Sequence, residues 1–275
     1  MLDDVLSYDP LSASYAFSPL GYSGLTAGTG DTEDARLDNS IKYVNLVGPI
    51  RAAALYKFDS DNAEARRAYE GDLGFVYRGL SADAIVNHVS DAISVASLSA
   101  AQVLKEPQGS LAATVSDNTS YGLMAKYATT PLFLGTIYAG WEHIMFHNPA
   151  SPVPAGAGDI GGYVLSVVNN TAYTHHRDLD VVWAGLKYHV THSLDTTVAY
   201  YHYGQANYDT VACSNASAGS CSGALDAVSL AADYKFNKYF DVYAGTMYSK
   251  VADGLASGYL HNNTVNTMTG VRFNF

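Results

Sequence analysis

The chain has 275 residues, 48% apolar and only 15% charged, with a formal net charge of −11 and 22 tyrosines. That charge argues against a nucleic-acid surface, which needs clustered lysine and arginine. No apolar run reaches the ~18 residues of a transmembrane helix; the best, 132–141, is stopped by Glu142 and His143.

The chain opens on Met1, Leu2, Asp3 and Asp4. With no basic start and no apolar stretch, no signal peptide is visible. An exported protein with this sequence would have had its signal removed, or would have a longer true beginning. Residues 1–35 are glycine-rich and aromatic, flanked by Asp3, Asp4 and Asp9 and by Asp31, Glu33 and Asp34. Strand signals then come in pairs: 36–47 with 51–58, 71–79 with 82–91, 118–128 with 132–143, 178–190 with 194–207, and 225–237 with 239–251. A last strand, 264–275, stands alone, and the whole reads as eleven antiparallel strands. The stretch 97–105 tolerates one short helix. Connections within a pair are very short (48–50, 80–81, 129–131, 191–193, 238) and those between pairs are long (59–70, 92–117, 144–177, 208–224, 252–263). That rhythm is expected of an outer-membrane barrel with short periplasmic turns and long extracellular loops.

Successive side chains of a strand point to opposite faces. In 225–237 one face carries Val228, Leu230, Ala232, Tyr234 and Phe236, and the other Ser229, Asp233 and Lys235. A soluble sandwich would show the same alternation with its apolar face inward, so it is the loop rhythm that favours the membrane. The first and last strands run in the same direction, so an antiparallel barrel containing all eleven needs an odd number of further strands.

Arg36, Lys42, Arg51, Lys57 and Arg78 are candidate lumen cations, Arg36 and Lys42 on the polar face of one strand. A cation at the midplane on the lipid face would cost about 2–4 kcal/mol; the alternative is a rim position against lipid anions. Cys213 and Cys221, close together in a Ser/Ala/Gly stretch, are expected to form one small disulfide in an extracellular loop. His143 and His147 would share a helix face but on a strand lie too far apart for one metal, so no metal or cofactor is expected. No nucleophile elbow or phosphate loop is present. An enzyme is therefore not expected, although an outer-membrane barrel enzyme and a structural or adhesive barrel stay as alternatives.

Arg36-Leu-Asp-Asn-Ser-Ile-Lys-Tyr43 resembles the strand after the constriction loop of Gram-negative general porins, in the β-proteobacterial and neisserial form. Tyr138 through Pro149, Tyr173 through Tyr188 with Val182-Trp183-Ala184-Gly185, and the ending Thr269-Gly-Val-Arg-Phe-Asn-Phe275 are similar to the same branch. The resemblance implies sixteen strands, a homotrimer in the Gram-negative outer membrane, and passive diffusion of small hydrophilic solutes and ions. It makes residues 1–35 the pore-constriction loop, with Asp3, Asp4 and Asp9 as an acidic constriction, and residues 36–275 the barrel without its first five strands. Phe275 would face lipid and serve the assembly machinery.

Overall fold

The computed structural model describes residues 4–11, 17–21, 37, 39–59, 67–129, 134–156, 159–160, 163–209, 213–215, 219–256 and 260–273. A one-turn helix α1 (Asp4–Ser7) precedes the strands. The wall then follows as β1 (Ser40–Val47), β2 (Ile50–Lys57), β3 (Arg67–Tyr77) and β4 (Leu80–Ala96). After helix α2 (Ala100–Val103) come β5 (Ser110–Thr129), β6 (Gly135–His147) and two short strands, β7 (Asp159–Ile160) and β8 (Tyr163–Asn169). The chain ends with β9 (Arg177–His189), β10 (Leu194–Gln205), β11 (Gly223–Asn237), β12 (Phe240–Asp253) and β13 (Asn263–Phe273).

Eleven of these form one antiparallel path, β1-β2-β3-β4-β5-β6-β9-β10-β11-β12-β13. Tight turns set the register. Gly48, at φ +60, opens the turn before Pro49, and Val47 pairs with Ile50. A positive φ at the first turn residue twists a two-residue hairpin the way its strands twist. Arg78 and Gly79 both take positive φ, 47 and 85, and join Tyr77 to Leu80. At the other end of the wall, α2 is closed by a capping box between Ser99 and Gln102.

Pairing is not antiparallel throughout, which corrects the sequence-based expectation. β8 pairs with β7 and, in parallel, with the start of β5, from Ser110↔Val164 to Thr114↔Asn169. The reason is an uncovered edge. β5 meets β6 only from Asp117↔His147 onward, so the start of β5 would present unpaired backbone groups. β8, within the stretch 144–177 read as plain loop, returns to cover that edge.

The wall sorts its side chains sharply. On β11, Leu225, Ala227, Ser229 and Ala231 are buried on the concave face, while Val228, Leu230, Tyr234 and Phe236 stand exposed on the other. The same holds for Leu73 and Phe75 on β3, Leu123 on β5, Val198 and Tyr200 on β10 and Val271 and Phe273 on β13, all exposed. The convex face is thus the apolar one, opposite to a soluble sandwich and as a lipid-facing wall requires. The sheet is open. Its path ends at β1 and β13, and every residue of β1 is exposed. As the first and last of eleven antiparallel strands, those two edges run in the same direction.

Leu230 lies at the centre of β11 on the convex face. Leu230→Arg should lower the stability of the folded protein in lipid by about 2–4 kcal/mol, while an arginine at concave-face Thr264 should cost far less. Urea titration in liposomes measures both.

Candidate pore lining

Residues 5–11 and 17–20 lie inside the curve of the sheet. Val5, Tyr8, Leu11, Phe17 and Leu20 pack into one cluster with Met124, Ile144, Trp183, Tyr201, Ala227 and Met247 of the wall. Polar contacts to distant strands fix this inner segment. The Tyr8 hydroxyl donates to the Asp83 carboxylate on β4. The Trp183 indole donates to the Tyr8 carbonyl at 3.1 Å, and Lys126 Nζ donates to the Ser7 carbonyl at 2.8 Å beneath the Tyr8 ring. The Tyr201 hydroxyl donates to Asp9 at 2.7 Å, and the Ser229 hydroxyl to the Phe17 carbonyl at 2.6 Å.

The concave face is charged beside that segment, which meets the charge at Asp83. Arg51 on β2 reaches Asp83 at 2.9 Å and Asp72 at 3.1 Å. Gly74 lies between Arg51 and Asp83 in the register and leaves the space they meet in. Lys57, Glu70 and Asn87 are buried on the same face. Toward the short turns a second network spans β9 to β13. Asp195 accepts from Lys235 at 2.7 Å and lies 3.5 Å from Lys187, while Arg272 joins Asp233 at 2.5 Å and Asp241 at 3.1 Å. Each carboxylate there has a cation in reach, which is how a partly desolvated charge is kept ionised.

Lys42 and Arg51 are on the concave face, Lys42 opposite buried Leu55. Arg78 is not on the wall: it occupies the turn after β3, its guanidinium over the ring of convex-facing Tyr77 at 5.1 Å. A residue at positive φ in a two-residue turn cannot also belong to a strand face, so the rim position replaces the lumen one. Asp9 is 3% exposed and accepts from Tyr201 and from the Leu11 amide. Asp4 starts α1. Asp3, Arg36 and Phe275 lie outside the described residues.

Cys213 and Cys221 are bonded, with Cα atoms 5.3 Å apart. Gln205, at the end of β10, donates to the Cys221 and Gly219 carbonyls at 2.6 Å and accepts from Arg177 at 2.8 Å, tying this loop to the wall. His143 turns to the convex face and meets Asp180 at 2.9 Å, while His147 stacks on His176 with ring centroids 5.4 Å apart. Among the described residues, no group of three or more His, Cys, Asp or Glu side chains could hold a metal ion.

The anchors of the inner segment, Tyr8, Asp83, Lys126 and Trp183, escaped the sequence reading. One signal pointed to them: glycines at concave-face positions 140, 185 and 245, in strand interiors where glycine marks a close approach of other atoms.

No protein-family model matches the sequence. A search of curated proteins finds no match either. Solved structures do match. An anion-selective porin from Comamonas acidovorans superimposes on 100% of this chain and 71% of its own, with a TM-score of 0.65 and 14% identity. OmpT of Vibrio cholerae, expressed in the outer membrane, covers 98% of this chain and 73% of its own, with a TM-score of 0.66 and 19% identity. An in-vitro folded trimer form of that protein gives a TM-score of 0.60 over 88% of this chain and 66% of its own at 17% identity. The chain has the fold of an outer-membrane β-barrel wall.

Burial raises the Asp9 carboxyl above the usual carboxylate range, against the lowering effect of its hydrogen bonds. A group whose value is raised on docking contributes fully below its undocked value, about 3.9, and loses that contribution as pH rises through the docked one. Docking of the inner segment should therefore weaken as pH rises through the docked value. Trp183 emission followed against pH should shift to the red over that window, and Asp9→Asn should flatten the response. An equal shift in the variant would show that another group controls the docking.

Proposed function

We propose that this chain is the larger part of the wall of an outer-membrane porin, through which small hydrophilic solutes and ions diffuse passively. The observation that carries this reading is the reversed sorting of side chains: the convex face is apolar and exposed, the concave face holds paired charges, and a segment of the same chain is folded inside. A lipase or protease barrel needs a nucleophile and base, or a pair of acids, converging at the rim, and no such constellation was found in the sequence. An adhesive barrel has no use for a charged interior. The likeness to an anion-selective porin is in keeping with transport.

On this reading the inner segment narrows the pore, with Asp3 and Asp4 contributing an acidic side and Lys42, Arg51 and Arg36 the opposing basic wall, while Asp9, expected from the sequence to join the acidic side, is instead buried against Tyr201 and anchors the segment. Lys57 and Arg51 lie in one concave row on β2. Phe275 would complete the convex row Val271–Phe273 and serve recognition during assembly. An odd number of further strands, placed between β13 and β1, would close the wall, five if the whole has sixteen. Homotrimers are part of the same proposal, which a trimer form among the structural neighbours supports.

Two measurements test it. In liposome swelling, the closed full-length form should admit small sugars, and a swelling rate no faster than that of empty liposomes would refute the pore. In planar bilayers, Arg51→Ala removes the cation between Asp72 and Asp83, so the reversal potential in a salt gradient should move toward cation preference. Residues 1–275 alone should give no steady stepwise conductance, because each open edge leaves several backbone groups unpaired in hydrocarbon at a cost of several kcal/mol each.

A further inference from the structure

Two glycines of the wall face the inner segment directly. Gly185 on β9 and Gly245 on β12 both fall on the concave face, in step with buried Trp183 and Met247. A Cβ built on Gly185 would overlap the ring of Pro10, its Cβ at 2.9 Å, and crowd the Val198 carbonyl at 3.0 Å. A Cβ on Gly245 would lie 2.9 Å from both Cε2 and Cζ of Phe17. A third glycine, Gly140 on β6, is covered by the Trp183 ring, whose indole reaches the Tyr8 carbonyl. Between the two sockets the floor is made of small buried residues, Ala199, Ala227, Ser229 and Ala231. Phe17 itself is fully buried.

We propose that Gly185 and Gly245 are positioning residues of the pore: sockets that seat Pro10 and Phe17 and so set how far the inner segment stands off the wall. The segment has two stops, one near the end of 4–11 and one at the start of 17–21. Filling a socket does not merely remove a contact. A methyl group there pushes a ring inward and pulls on the bonds that Tyr8, Asp9 and Phe17 make to three different strands. The pore's free width is thus written into two missing side chains on strands that never touch each other. For its consequence on conduction this inference rests on the pore reading; for the seating itself it does not.

Trp183 supplies a readout that needs no conduction. It is one of two tryptophans, and the other, Trp141, faces the convex side, so a Trp141→Phe background isolates it. In detergent-folded protein, Gly185→Ala or Gly245→Ala should raise quenching of Trp183 by aqueous acrylamide several-fold. Gly71→Ala, where a Cβ would meet only Val86 Cγ1 at 3.5 Å, should leave it unchanged. Because a Cβ on Gly245 would also crowd the Leu230 carbonyl at 2.7 Å, the deciding variant is Phe17→Ala. If the socket reading holds, adding Gly245→Ala to Phe17→Ala produces no further rise. Unchanged quenching in both glycine variants would overturn the proposal, and so would a Gly245→Ala effect that persists in full without Phe17. Socket behaviour by fluorescence together with no solute flux in the closed form would leave the seating intact and sink the pore.

Discussion

In hydrocarbon a backbone amide has no water to turn to, so each strand of this wall must find its hydrogen bonds in the strands beside it. The side-chain sorting, the register and the two open edges follow from that demand. Pairing with both neighbours leaves a strand two faces, and with the apolar one turned to lipid, polarity is left to the other. The concave face then has to satisfy its own charges, which it does in pairs: Arg51 with Asp72 and Asp83, Lys235 with Asp195, Arg272 with Asp233 and Asp241. None of these pairs is local in sequence, and each is delivered by the register of strands that meet two by two.

The inner segment answers to a different rule. It does not extend the sheet and is held by side chains and carbonyls that the wall offers one at a time. Its apolar residues, Val5, Tyr8, Leu11, Phe17 and Leu20, cover the stretch of concave face that is itself apolar. Two kinds of interior therefore coexist. One is a packed contact between segment and wall, where bulk on one side is matched by small residues on the other. The other is a charged face whose carboxylates and cations are paired with one another.

The eleven wall strands were legible because period-two alternation and the long-short loop rhythm are both local signals, and Gly48-Pro49 marks its turn. Their outer ends were not. β3 begins at Arg67 and β4 and β5 run past Ser90 and back to Ser110, because beyond the lipid band nothing forces one face to be apolar and the alternation fades. β7 and β8 were missed for a similar reason: they are short, and their role is to cover the edge of β5. The anchors of the inner segment were out of reach for another cause. Tyr8 finds Asp83 75 positions away, Asp9 finds Tyr201 192 away and Phe17 finds Ser229 212 away. No local pattern encodes such partners. The resemblance to general porins implied an inward loop at 1–35 but not what would hold it.

The direction of the two open edges has a consequence for what can seal them. β1 and β13 point the same way. A second copy turned about the membrane normal would offer its own edges in that same direction, and every seam between the copies would be parallel. A copy turned about an axis in the membrane plane would offer antiparallel edges, but it would carry its disulfide-bonded loop and its α2 to the opposite side of the bilayer. Antiparallel closure of these two edges therefore takes a block of strands of odd count that shares the chain's orientation.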